Sequence, residues 1–146
     1  PELLLSSIKA IAANWVIIDT PAKAERMSAN VIRIANIALI PVQPSAADVW
    51  ASAAAVKLVQ SKIDVGGQIH AAFIATRVSG QTKLSKEILA GNWNEYGLPL
   101  MATAIANRVS YAQSLSDGLS VFDTTDQAAK VEIDALITEL ETKGWL

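Results

Sequence analysis

The 146-residue chain has no cysteine, which excludes disulfide scaffolds, thiolate metal sites and a cysteine nucleophile. Its one histidine, His70, excludes histidine metal clusters and any mechanism that needs two imidazoles. His70 itself reads as structural, at the start of an apolar run. Charged residues are scarce, at 18%, against 51% hydrophobic, so the composition is not that of a disordered chain. Aromatics are few, at 5%. No apolar run approaches the roughly 20 residues that span a bilayer, and no basic–apolar–small leader pattern opens the sequence. Pro1, rather than Met, stands first. The expectation is a single α/β domain over residues 1–146, with no membrane partner and a cytoplasmic location.

The net charge is −2, which does not suit a general nucleic-acid coat. It is unevenly spread. Residues 117–146 carry Asp117, Asp123, Asp126, Glu132, Asp134, Glu139 and Glu141 against Lys130 and Lys143, for −5. The preceding residues sum to +3. Two readings stand: a local basic face, or simply a solvated acidic helix at the end.

Leu3, Leu4, Ile8 and Ile11 recur at helical spacing and predict a helix over 2–13. Trp15 to Ile18 is a short apolar run, rich in β-branched residues, and predicts a strand buried between two layers. A helix is expected over 28–35. Ile37 to Ile40 predicts a second buried strand, closed by Pro41 and Pro44. Ser45, with Asp48 three residues on, predicts a helix start, and the Ala-rich stretch a long helix to about Ile63. Gly66-Gly67 ends it. Ile69 to Ala75 predicts a third strand and Leu84 to Asn94 a helix. Leu100 to Ile105 reads as a short strand and Asn107 to Leu115 as a short helix. A final helix begins at Thr125 or Asp126 and is to bury Val131, Leu136, Ile137 and Leu140, with Gly144 as its stop. Trp15 and Trp50 read as packing residues; Trp93 and Trp145 sit near helix ends. The alternation predicts a mostly parallel sheet with helices on both faces.

In such sheets ligands bind beyond the carboxyl ends of the strands. That rule groups Asp19-Thr20-Pro21, Pro41 to Ser45, Thr76-Arg77 and Ala106-Asn107-Arg108 along one edge. Asp19, at the tip of an apolar run, offers a hard oxygen ligand suited to Mg²⁺. Many such aspartates are only turn caps, and that reading stays open.

Residues 14–21, Asn-Trp-Val-Ile-Ile-Asp-Thr-Pro, resemble the Walker B region of ParA/MinD-type (deviant Walker A) ATPases. Ile40-Pro41-Val42-Gln43-Pro44-Ser45-Ala46-Ala47-Asp48-Val49-Trp50 resembles the segment after the next strand in the small plasmid-partition branch. Ala72 to Arg77, Thr103 to Tyr111 and Ser116 to Phe122 are similar to later segments, in the same order. The resemblance implies a partition ATPase with a P-loop NTPase-like fold, using ATP and Mg²⁺. It implies an ATP-dependent homodimer, binding to non-specific DNA, a ParB/ParG-like centromere-binding partner and a nucleoid-associated bacterial setting. By position, Asp19 would serve the Mg²⁺ shell and hydrolysis. Thr76, Arg77, Ala106 and Asn107 would border the adenine. Arg108, Lys83 and Lys86 would meet DNA phosphates.

The departures carry equal weight. No Gly-rich phosphate loop occurs in the 146 residues; Gly66-Gly67 is not followed by Gly-Lys-Ser/Thr. The resemblance places that loop and its strand before Pro1, as a missing N-terminal segment that could also act as a separate piece. Ala22 and Lys23 stand where a glycine is usual. The chain alone is therefore expected not to hydrolyse ATP. Two other readings remain: a ParA-like interaction module without ATPase activity, and an unrelated flavodoxin-like domain, against which the lack of a phosphate loop after any strand argues.

Overall fold

The computed structural model describes residues 6–8, 10–20, 25–79, 86, 87 and 89–146. Helix α1 is Glu25–Ile34, β1 Ile37–Val42, α2 Ala46–Ala51, α3 Ala53–Asp64, β2 His70–Val78, β3 Leu100–Ala106, α4 Val109–Ser116 and α5 Gln127–Thr142. Short 3₁₀ turns, Trp93–Tyr96 and Val121–Asp123, precede β3 and α5. The three strands form one sheet in the order β1-β2-β3, both pairings parallel.

Parallel strands need covered faces, and the alternation of side chains supplies them. On one face Ala38, Ile40 and Val42 of β1 join Ala71 and Phe73 of β2. They pack beneath Val49 of α2 and Val56 and Val59 of α3, with Trp93 and Leu98 closing the end. Phe73 lies at the centre, fully buried, its ring 5.1 Å from that of Trp93. On the other face Ala72, Ile74 and Met101 meet Leu140 and Leu136 of α5. The fold is thus α/β with helices on both faces of a parallel sheet, consistent with a P-loop-like α/β arrangement.

Local signals explain most boundaries. The Ser45 hydroxyl accepts the Asp48 N–H at 3.2 Å, and the Asp48 carboxylate accepts the Gln43 N–H at 2.9 Å. The serine cap starts α2, and the Asp48 carboxylate ties the preceding loop to its first turn. The single long helix expected to Ile63 is instead two. Ser52 closes α2, its hydroxyl bonding the Val49 carbonyl at 2.6 Å, and α3 restarts at Ala53. Serine competes for backbone carbonyls in this way, an effect that apolar periodicity does not register. Gly97 ends the first 3₁₀ turn at φ +92°, a conformation that glycine takes without steric cost.

Three further expectations are corrected. Trp15 to Ile18 is not a buried strand. The run is irregular, and Ile17 is 96% exposed. A strand is stabilised by its ladder, and among the described residues this run has no ladder partner. In a parallel pair alternate residues face the neighbour, and the His70 N–H bonds the Asn36 carbonyl. Asn36, Ala38, Ile40 and Val42 therefore direct their backbone groups to β2, and those of Ile37, Leu39 and Pro41 point to the open edge. Ile18 and Thr20 pass beside that edge without pairing, leaving a cavity of about 210 Å³ against α1 and β1. Second, Val131 and Ile137 are exposed on α5, at 64% and 41%. The helix buries the stripe through Ala129, Leu136 and Leu140 instead. Third, the packing expected of Trp15 and Trp50 is not found. Trp15 and Trp50 are exposed, whereas Trp93 is core and Trp145 stacks on His70 at 5.2 Å.

Residues 6–8 are helical, and the chain leaves that helix by residue 11. The rest of the first predicted helix, residues 2–5 and 9, lies outside the described residues. So do Pro21, Ala22, Lys23 and Lys83.

Candidate functional site at the strand ends

The carboxyl ends of β1, β2 and β3 lie side by side. The Thr76 hydroxyl reaches the Val42 carbonyl at 3.4 Å, joining β2 to β1. The Asn107 N–H donates to the Val78 carbonyl at 3.0 Å, joining β3 to β2. The expected grouping of Gln43, Thr76-Arg77 and Ala106-Asn107-Arg108 is thus a set of neighbouring strand ends.

Two irregularities shape it. Between Ala75 and Val78, β2 holds one residue more than β3 does between Ala104 and Ala106. That excess falls at Arg77, which has φ +51°. A non-glycine residue in the left-handed region costs about 1–2 kcal/mol, so the sheet around it must enforce the bend. The bulge turns Arg77 out of the ladder, and its side chain is exposed. Asn107 is exposed beside it, and Thr76 and Ala106 are half-buried.

The second irregularity lies in β3. Between Phe73 and Ala75 the partner residues on β3 run from Leu100 to Ala104, two residues more. Consecutive amides of a regular strand point to opposite sides. Here Ala102 and Thr103 both donate to one carboxylate, Glu139 of α5, at 2.9 and 2.8 Å. Two helical turns earlier, Glu132 accepts the Ala106 N–H at 3.2 Å. The spacing fits: seven helical residues rise ~10.5 Å, and three to four strand residues span ~10–13 Å. Both glutamates close the outer edge of β3.

Glu132 does more. One of its oxygens accepts Arg108 Nε and Nη2 at 2.9 and 2.7 Å, and the other lies 3.0 Å from the Tyr111 hydroxyl. Asp126, the N-cap of α5, accepts the Ser110 hydroxyl at 2.7 Å and stands 3.8 Å from Arg108 Nη1. Burial pushes the Glu132 carboxyl up, but Arg108, the Ala106 N–H and Tyr111 together outweigh it and hold it low. Burial, reinforced by Glu132, raises the Tyr111 phenol, which stays neutral. Arg108, expected at a DNA phosphate, thus has its guanidinium engaged within the fold. Lys86 is exposed.

Asp19 is exposed on the irregular stretch, and among the described residues no hydrogen bond or ion pair reaches it. The described residues hold no group of three His, Asp or Glu side chains placed to bind a metal. The arrangement therefore fits one part of a nucleotide and not another. An exposed guanidinium can stack on a base, and an amide can pair with an adenine edge. Nothing in the 146 residues supplies a glycine-rich cradle for a triphosphate, so no hydrolytic step follows from these residues. Asp126 was read only as a start of the final helix, and the contacts of Glu132, Glu139 and Tyr111 with the strand end escaped the sequence reading. Their signal was the seven-residue spacing of two glutamates downstream of a single arginine.

The chain is similar to maintenance of carboxysome distribution protein A of Halothiobacillus neapolitanus (strain ATCC 23641 / c2), 22% identical over 130 residues, which is 87% of this chain. It spans 60% of that relative's length. No protein-family profile matches the chain. The similarity supports a broad ParA/MinD-like relationship. No described helix is long and apolar enough to cross a membrane.

Proposed function

We propose that these residues form the base-side portion of a nucleotide site in a ParA/MinD-like positioning or partitioning factor. The observation that carries the reading is Arg77, held at φ +51° in a bulge and exposed beside Asn107, whose N–H is anchored on Val78. A strained residue that turns a cation out of a sheet end, next to an exposed amide, suits a flat heteroaromatic base. The Halothiobacillus relative, named for maintaining carboxysome distribution, supports a role in distributing a cargo. The cargo here would be a plasmid, a chromosome or a comparable body.

In the gene product carrying this chain, ATP with Mg²⁺ would switch the protein between a monomer and a dimer. Bound nucleotide supplies the triphosphate chemistry. Thr76, Arg77, Ala106 and Asn107 orient the base, and Asp19 is the carboxylate available to a Mg²⁺ shell. The dimer would grip non-specific DNA through lysines such as Lys83 and Lys86, and a ParB/ParG-like adaptor at the cargo would release it. Arg108 joins that grip only by leaving Glu132. A second reading, an interaction module without ATPase activity, is separated from the first by whether a glycine-rich phosphate loop is encoded directly upstream of this chain.

Retention on sonicated DNA of random sequence tests the reading. The gene product carrying this chain should be retained with Mg-ATP and released with Mg-ADP. Retention should weaken steeply with salt, as phosphate neutralisation requires. Arg77→Ala should abolish the nucleotide dependence. Retention indifferent to nucleotide would favour the interaction module.

A further inference from the structure

We infer that Glu132 is the positioning residue of the Ala106–Arg108 loop, setting the base-side site from the opposite side of β3. The inference rests on the nucleotide reading above and deepens it.

Three separate groups of that loop and its helix converge on one carboxylate. The Ala106 N–H at 3.2 Å fixes the last residue of β3. Arg108, through Nε and Nη2, fixes the far side of Asn107. The Tyr111 hydroxyl, at 3.0 Å from Glu132 and 3.1 Å from the Ala129 carbonyl, fixes the first turn of α4 against α5. Asn107 is thus bracketed between two residues that Glu132 holds, and its own N–H is drawn to Val78 on β2. The backbone that carries the exposed Asn107 amide is thus held on both sides. Charge-assisted bonds of this kind are the strong ones, and an acceptor shared by four donors orients all of them at once.

Glu139 provides the control. It sits on the same helix, seven residues on, and accepts the same kind of backbone bond from Ala102 and Thr103 at the other half of β3. It touches nothing in the Ala106–Arg108 loop. A purely structural role, edge closure by α5, predicts the same consequences for both glutamates. A positioning role predicts different ones.

The test compares Glu132→Gln and Glu139→Gln in the gene product carrying this chain, with fluorescent N-methylanthraniloyl-ATP and Mg²⁺ as the probe. In E132Q the side chain keeps an acceptor but turns an amide towards Arg108, so the guanidinium is released. Hydrogen exchange at Asn107 to Tyr111, measured without nucleotide, should accelerate about tenfold in E132Q and stay unchanged in E139Q. Probe affinity should fall about five- to tenfold in E132Q, while E139Q binds as the parent does, within about twofold, despite a lowered melting temperature. Equal affinities for E132Q and the parent, or equal loop exchange in both variants, would overturn the assignment. A parent protein that does not bind the probe would sink the nucleotide reading and this assignment with it. A parent that binds, with E132Q unchanged, would sink this assignment alone.

Discussion

The Lys62 ammonium lies 2.7 Å from the carbonyl of Ala35, just past the end of α1, and 3.1 Å from that of Ile32. It caps the last turn of one helix from the last turn of another. The cation meets the negative end of the α1 dipole, which is where a positive charge is favoured. Burial lowers the Lys62 pKa. Gly67 is part of the same arrangement: a Cβ there would stand 2.7 Å from Lys62 Cγ and 2.8 Å from the Lys62 carbonyl. Replacing Lys62 with Met keeps the apolar stem and removes the cap. It should cost about 1–2 kcal/mol in urea unfolding. Gly67→Ala should cost a similar amount, since the backbone carbonyl cannot move aside. Wild-type stability in either variant would remove this cap from the account of the fold.

Acid should weaken the acidic C-terminal segment, residues 117–146, first. Four carboxyls are held below their ordinary values of 4.5 or 3.8. For Glu139, burial raises the pKa, but the Ala102 and Thr103 N–H groups, the Thr103 hydroxyl and Lys143 together outweigh it. The Ser120 N–H and hydroxyl lower Asp123, and the Ser110 hydroxyl and Ala129 N–H lower Asp126. Burial of Glu132 is overcome by Arg108, Ala106 and Tyr111. A carboxyl with a depressed folded pKa stabilises the fold above its unfolded pKa. That stabilisation is lost as pH falls through the folded value. The urea midpoint should therefore hold from pH 7 to about 5 and fall progressively below the ordinary carboxyl range. The double variant E132Q/E139Q should start lower and fall less steeply. A midpoint that does not change between about pH 5 and pH 3 would contradict these contacts.

Ile17 separates residue type from residue placement. Its sequence context predicts a core strand, where Ile→Ser would cost several kcal/mol. Its near-complete exposure predicts that Ile17→Ser leaves the unfolding free energy within about 0.5 kcal/mol. Trp15 should likewise quench readily with acrylamide, unlike Trp93. A large loss of stability in Ile17→Ser would restore the strand.

Catalysis by the chain alone is expected to be absent. The 146 residues carry no glycine-rich Gly-Lys-Ser/Thr motif, whose backbone N–H groups would cradle a triphosphate. Incubation with Mg-ATP should release phosphate at the rate of a protein-free control. Turnover abolished by Asp19→Ala would overturn that expectation.

How far the sequence could be read depends on the range of the interaction concerned. The order β1, α2, β2, β3, α5 was legible because apolar runs, the Ser45–Asp48 cap and the glycine stops act within a few residues. The face chosen by α5 was not, since Val131 and Leu136 are both strongly apolar and only the sheet beneath distinguishes them. Trp15 to Ile18 has the composition of a strand but no ladder, and ladders are made by distant segments. At the strand ends, Thr76-Arg77 and Asn107 were legible through the rule that ligands gather there. Arg77's bend was not, because it follows from a register shift between β2 and β3. Glu132 was hidden for the same reason: its partners lie 21 to 26 residues upstream.

The most direct measurement is photocrosslinking of 8-azido-ATP to the gene product carrying this chain, followed by peptide mapping. The account predicts ATP-competed adducts on peptides containing Arg77 or Asn107, reduced in Arg77→Ala. No competed adduct, or one confined to peptides away from the ends of β2 and β3, would contradict a base site at these strand ends.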